Sequence, residues 1–300
     1  MKESEVRNAI KDYLRDNKYY VPEKEFNIGV RPDVVGFQWI DNFEIKSIAV
    51  ECKTFVSSRL LIETALNQAR EYQLAFPYVY LATPNLKNHR ELEGVFRSLR
   101  IGLFMVDGAK AKEIFKADIS PRLDYDDFLF KVRQVAAAIL TYREVIGEPD
   151  VNIPYPGEVH CYIKEESANF LLSNYPKDRN YYFGICVEKK ENVRKLERVS
   201  KDNFYKLIQA LPEEYLIRLD YVDTYKPREV CWLVMGTRVQ ELSSEDIEGL
   251  LDYCKKKEWR TRFILWRKVW EEDEALSKRE HKRRLEKVIE ELTPIKELIG

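Results

Sequence analysis

Residues 31–53 read RPDVVGFQWIDNFEIKSIAVECK. Two runs rich in Val, Ile, Phe and Trp flank a turn-like Asp41-Asn42, which predicts a β-hairpin. If the turn centres on Asn42, residues equidistant from it face each other, and Asp33 comes opposite Glu51. Opposed side chains on neighbouring strands lie about 4.5–5.5 Å apart at Cβ, so two like charges there repel unless something sits between them. Lys53 follows Glu51 by two and shares its face, whereas Val50 and Cys52 point the other way. The hairpin thereby gathers two carboxylates and one ammonium at its mouth.

A divalent cation answers that repulsion. Mg²⁺ takes oxygen ligands, commonly one or two carboxylates completed by water and phosphate oxygens. It lowers the pKa of its water and neutralises charge growing on phosphorus, which is what phosphodiester hydrolysis requires. A neighbouring lysine can orient the attacking water, stabilise the transition state or act as base, and the residues leave these three roles of Lys53 open.

Pro32-Asp33 followed by Glu51-Cys52-Lys53 resembles the signature of the PD-(D/E)XK nuclease superfamily, which includes restriction endonucleases, junction resolvases and RecB-type nucleases. Gln68-Ala69-Arg70-Glu71-Tyr72 is similar to the QxxxY helix motif that follows the lysine strand in RecB-type members. The resemblance is confined to the N-terminal domain. It implies metal ligation by Asp33, Glu51 and the main-chain carbonyl of Cys52, assistance from Lys53, and positioning by Gln68. It also implies a supplementary glutamate on the first helix. Glu3 is the candidate by helical phase, because it precedes Val6 by three and Ile10 by seven while Glu5 points away; the alternative is a favourable acidic residue in a first turn. The implied cofactor is Mg²⁺, with Mn²⁺ as a substitute, and the implied partner is DNA.

The 300 residues suggest two domains, and 45% hydrophobic with 12% aromatic content fits a globular chain. No apolar run reaches the ~20 residues of a membrane span, and MKESEVRNAI does not read as a signal peptide, so a cytoplasmic location is expected. A net charge of −1 exerts no global pull on DNA, so a nucleic-acid interface must rest on local basic surface. The five cysteines are scattered without a CxxC and are expected to be reduced thiols. No GxxxxGK[ST] occurs, so no intrinsic NTP-binding motif is expected.

Apolar residues Val6, Ala9, Ile10, Tyr13 and Leu14 predict a first helix over residues 2–16, and residues 19–28 read as extended. A second helix spans residues 60–75, with Leu61, Ala65, Gln68 and Tyr72 on one side; an amide within that stripe needs partners or a catalytic purpose. Strands follow at 78–83 and 103–107 around a helix at 86–100. The result is an α/β protein whose N-terminal restriction-endonuclease-like domain is a mixed sheet flanked by helices. A helix at 125–145 ends at Gly147, and EPDVNIPYPG, residues 148–157, holds three prolines and reads as a linker. The expected domains are 1–148 and 149–300. In the second, strands are predicted near 159, 181–188, 216–223, 230–239 and 263–270. Helices are predicted within SANFLLSNY (167–175), over 200–211 and 243–257, and from about 272 to the C-terminus. This describes an α+β domain with an antiparallel sheet and a long C-terminal helix, suited to target recognition or partner binding.

Basic groups cluster at Lys255-Lys256-Lys257, Arg260, Arg262, Arg267-Lys268, Lys278-Arg279 and Lys282-Arg283-Arg284, interleaved with Trp259, Trp266 and Trp270. They could contact phosphates and stack on bases. The preferred reading is a solvated helix face paired at i, i+4, with the tryptophans in the core. A stripe of Leu285, Val288, Leu292, Ile295 and Ile299 either docks on its own domain or meets a second subunit, and a homodimer suits cutting of both DNA strands. The leading expectation is a Mg²⁺-dependent DNA nuclease of restriction, defence or repair type. The alternatives are a nucleic-acid-binding or regulatory module on a nuclease fold without cleavage, and an interaction scaffold.

Overall fold

The computed structural model describes residues 1–54, 59–84, 86, 89–124, 128–153, 158–163, 168–175, 179–187, 199–221, 236–256, 261–271 and 273–299. Backbone bonding along residues 31–53 forms the expected hairpin. Strand β1 (Val34–Trp39) pairs antiparallel with β2 (Ile45–Cys52), Val34 opposite Val50 and Trp39 opposite Ile45. Asp41 shapes the loop between them: its Oδ1 accepts from the amides of Phe43 at 2.7 Å and Glu44 at 2.8 Å. Those two bonds hold its carboxyl below the usual range. Ile40 N donates to Glu44 O at 2.9 Å, so the loop is symmetric about Asn42.

Helix α1 (Glu3–Asp16) buries Val6, Ala9, Ile10 and Leu14, one face at helical spacing. Glu5 is spent on its N-terminus, accepting from Lys2 N at 2.6 Å. Of the extended segment before the hairpin, Tyr20 alone joins β1, through an antiparallel bridge to Phe37. Strand β2 then runs parallel to β3 (Tyr78–Thr83), β3 parallel to β4 (Gly102–Asp107), and β4 antiparallel to β5 (Lys110–Phe115). The sheet order is β1-β2-β3-β4-β5, a mixed sheet whose parallel connections carry helices α2 (Arg59–Tyr72) and α3 (His89–Leu99). Sequence reasoning missed β5, a charged edge strand reached through Asp107-Gly108, where Gly108 takes a φ of 58° that glycine tolerates without cost. Val34, Val50, Cys52, Ala82 and Phe104 pack with α1 in one core. On α2, Ala65, Leu66, Ala69 and Tyr72 are buried.

By packing, the chain forms two compact units. The first comprises Met1–Thr141, Val151–Val159 and Leu276–Arg279, and the second Tyr142–Asp150, His160–Ala275 and Glu280–Gly300. Helix α4 (Phe128–Val145) and strand β6 (Asp150–Asn152) follow β5 in the chain, so the proline-rich stretch read as a linker contains a strand. The remaining elements are β7 (His160–Tyr162), β8 (Asn169–Tyr175), β9 (Asn180–Val187), α5 (Lys201–Gln209), β10 (Tyr215–Tyr221), β11 (Thr237–Arg238), α6 (Ser244–Lys256), β12 (Thr261–Glu271) and α7 (Lys278–Ile299). Together with β6 their strands form a seven-stranded sheet in the order β11-β10-β12-β9-β8-β7-β6. Its pairings from β7 to β11 are antiparallel. The protein is therefore mixed α/β, with a second, antiparallel sheet and a C-terminal helix.

One expectation changes here. Residues 169–175 form β8 instead of a helix; residues 168–174 are all buried, and an unbroken buried run carries no period to separate strand from helix. The strand expected at 230–239 falls mostly on residues 222–235, outside the described residues, and Thr237–Arg238 pairs with β10. The apolar stripe of α7 is buried within the chain, together with His281, in line with the first of its two expected placements. Helix α6 does begin at the expected cap, with Ser243 Oγ accepting from Asp246 N at 3.1 Å and Asp246 Oδ2 accepting from Ser243 N at 2.9 Å. Among the described residues, no helix is long and apolar enough to cross a membrane.

Strand β9 lies so close to β12 that a Cβ at Gly184 would fall 2.1 Å from Leu265 O and 2.4 Å from Trp266 Cα. Backbone atoms cannot yield as a side-chain tip can. Gly184→Ala is therefore expected to lower the unfolding free energy by ~2 kcal/mol or more, read as a shifted urea midpoint.

Candidate functional site

The register of the hairpin places Asp33, one residue before β1, opposite Glu51 near the end of β2. The carboxylate of Asp33 anchors the mouth by accepting from Cys52 N at 2.7 Å through Oδ2. Its other oxygen, Oδ1, lies 2.7 Å from Arg7 Nη2. Arg7 also pairs with Glu3 one turn earlier on α1. Glu51, only 3% exposed, is held from two sides: Oε1 pairs with Lys53, and Oε2 accepts from the Tyr72 hydroxyl at 2.5 Å. Tyr72 Oη also lies 3.1 Å from the carbonyl of Arg31. A cation and a hydroxyl thus replace the water that burial removes from this side chain.

Asp33 is perturbed upward, to about 6, chiefly by burial, with the charges of Glu51 and Glu3 adding to it and the Cys52 amide and Arg7 opposing it. Burial, and then Asp33 and Glu51, also push the Cys52 thiol well up, so Cys52 is a neutral core side chain. The Tyr72 hydroxyl is raised by burial and by its bond to Glu51, and stays a protonated donor. Burial disfavours the charge on Arg7, yet Asp33 and Glu3 outweigh it and its pKa rises. A carboxylic acid near 6 beside a second carboxylate is a combination that functional sites share with structural ion-pair networks.

Of the residues singled out from sequence, Asp33, Glu51, Cys52 and Lys53 are brought to one place. Glu3 reaches it through Arg7. Gln68 is different: it lies exposed on α2, not within the inward stripe. The buried amide next to this helix is Gln73, whose Nε2 donates to Leu99 O at 2.7 Å. Arg7 and the role of Tyr72 as the partner of Glu51 escaped the sequence reading. The signal for Arg7 was present, as a cation four residues after Glu3 on the same helix face.

Beside Asp33, a cleft of about 370 Å³ runs along α1, its wall including Arg7, Asn8, Lys11, Lys24, Arg31 and Asp33. Among the described residues, no group of three or more His, Cys, Asp or Glu side chains is gathered as a metal cage. Two carboxylates suffice for Mg²⁺, which commonly keeps waters and takes phosphate oxygens for its other positions, so the donor set fits that ion better than zinc or calcium. What the fold defines here is a mixed-sheet α/β unit with two opposed carboxylates, Glu51 buried and Asp33 half-buried, each contacted by a cation from its own chain.

No protein-family model matches the chain, and no curated protein matches it. Among solved structures, a protein of unknown function from Silicibacter pomeroyi is similar at 18% identity and a TM-score of 0.28, over 40% of this chain and 77% of that one.

Proposed function

We propose that this chain is a Mg²⁺-dependent deoxyribonuclease of PD-(D/E)XK type, its first unit a restriction-endonuclease-like domain. The observation that supports this most is the pairing of Asp33 with Glu51 across the hairpin, with Lys53 bound to Glu51. Asp33, Glu51 and the Cys52 carbonyl would hold the ion. Mg²⁺ supplies there a water of lowered pKa and positive charge against the phosphoryl oxygens. The chain does the rest. Tyr72 and Lys53 hold the Glu51 side chain aimed while it is shielded from water. Lys53, 27% exposed, has its ammonium at the edge of the buried region, where it can orient the attacking water. Arg7 and Glu3 set the charge balance at Asp33. Gln68, exposed on α2, would serve by contacting substrate.

The test is incubation of the full chain with linear, circular and single-stranded DNA in Mg²⁺, Mn²⁺ or EDTA. Cleavage in either metal and none in EDTA is the expected result. A second reading, a nucleic-acid-binding or regulatory module on the same fold without cleavage, draws on one observation: Arg7 and Lys53 already neutralise both carboxylates. Retained DNA binding with no cutting in either metal would select it.

A further inference from the structure

The second unit carries its own charged cleft, of about 240 Å³, lined by Arg267, Lys268, Val269, Arg283, Arg284 and Lys287. Five of the six are cations and none is a carboxylate. The cleft owes its position to an irregularity in β12. This strand pairs residue for residue with β9 up to Lys268, then slips so that Trp270 meets Tyr181 and Val269 is left over. Such a bulge re-aims side chains and frees a backbone group. The freed carbonyl of Val269 accepts from Arg284 Nη1 at 2.7 Å, which pins one cation to the floor.

The other cations are set from behind by acids outside the lining. Arg284 Nη1 is 2.8 Å from Glu274, and Arg283 donates twice to Glu280, at 3.0 and 2.7 Å. Lys268 lies 2.6 Å from Glu271. Arg267 is 3.5 Å from Glu291, which also accepts from the Tyr215 hydroxyl at 2.7 Å and has Lys287 at 3.8 Å. These pairs do not exhaust the donors. A guanidinium offers five N–H groups and a paired carboxylate takes two, and the Nε of Arg267, itself 12% exposed, is buried with no acceptor. The exposed pairs of Lys268, Arg283 and Lys287 are weak in solvent, so they give way readily to a strong anion.

We propose that this cleft binds a phosphate group of a nucleic-acid backbone. Planar, multi-donor recognition by several arginines, with lysines at the rim, suits phosphate oxygens, and the volume admits a phosphodiester with its flanking sugars. The inference rests on the nuclease reading for the identity of the phosphate carrier; the recognition of phosphate stands on the cleft itself.

The experiment measures binding of a fluorescein-labelled duplex oligonucleotide to the full chain in EDTA, by anisotropy across a salt series. The double substitution Arg283→Glu with Lys287→Glu changes side chains that are 69% and 59% exposed, and an unchanged thermal midpoint verifies its fold. The expected result is a loss of ~10-fold or more in affinity, with a salt slope shallower by about one for each phosphate contact removed. Inorganic phosphate should compete with the duplex on the wild-type chain and weakly on the variant. Unchanged affinity and slope in the variant would overturn the proposal, as would binding of inorganic phosphate at the cleft with no binding of the duplex. Cleavage by the wild type, set beside duplex binding by the cleft variant, separates the two readings. If the wild type cuts DNA while the cleft variant binds it undiminished, only the cleft assignment fails; if binding depends on the cleft and neither metal yields cutting, only the cleavage reading fails.

Discussion

Asp33→Asn is expected to abolish cleavage, by ~100-fold or more, while making the metal-free protein more stable. The loss follows because even partners that merely orient metal ligands cost ~10–100-fold when removed, and Asp33 would be a ligand itself. The gain follows from the upward perturbation of its carboxyl from 3.8 to about 6. The folded state binds this proton more tightly than the unfolded chain, so between roughly pH 4 and 6 the folded protein carries the extra proton and stability falls as pH rises. Above about 6, both states are ionised and the full penalty persists. At about 1.4 kcal/mol for each tenfold change in proton affinity, that penalty is at most ~3 kcal/mol, and loss of the Arg7 contact offsets part of it. Asparagine keeps an oxygen for the Cys52 amide without the charge, so a gain of ~1–2 kcal/mol at pH 7 in EDTA is expected, shrinking toward pH 4. Urea unfolding of both proteins across that pH range checks it. A variant less stable than wild type at pH 7 would mean that the Asp33 carboxylate is there to hold the fold.

How much of this was legible in the sequence depends on the kind of signal each residue carried. The hairpin was, because a two-residue period and a turn centred on Asn42 leave a single register, and the opposition of Asp33 and Glu51 follows from counting. Helix α2 was legible as a helix but not in its rotation. Its inward direction is set by Ala65, Leu66, Ala69 and Tyr72, and at 100° per residue Gln68 lies about 100° from their centre. Alanines are weak markers of a buried face, so Leu61 and Tyr72 pulled the predicted stripe toward Gln68. Arg7 escaped for a different reason: its pairing with Glu3 was visible, but its importance comes from Asp33, a residue distant in sequence. In β12, Trp266 and Trp270 are four apart and should share a face. The bulge at Val269 puts them on opposite ones, Trp266 stacked on Tyr182 at 5.1 Å and Trp270 on Tyr181 at 5.3 Å. No composition rule reports an extra residue in a strand, so the basic residues around it read as a solvated face, and many of them are indeed paired at i, i+3 or i, i+4 along α7.

Lys53→Met is expected to stop cleavage as completely as Asp33→Asn, and to move stability the other way. Glu51 is 3% exposed and is contacted by Lys53 and the Tyr72 hydroxyl. Removing the ammonium leaves a buried carboxylate with one neutral donor, a change that costs ~1–3 kcal/mol where part of the pair reaches solvent, and more where none does. Tyr72→Phe in the same background should add to the loss by more than its effect alone, because the two donors share one acceptor and their contributions are coupled. Lys53→Arg restores a cation but not a compact point charge, so stability should largely recover while cleavage stays well below wild type. Measured together, urea midpoints in EDTA and cleavage rates in Mg²⁺ give four combinations, and the fold and the chemistry make separate demands on them. If Lys53 serves the fold alone, the arginine variant recovers both quantities. If it serves the reaction, stability returns and cutting does not. Opposite stability effects from Asp33→Asn and Lys53→Met, with the same loss of activity, are the signature of a site in which one carboxylate is kept at a cost to the fold and the other is sustained by its lysine.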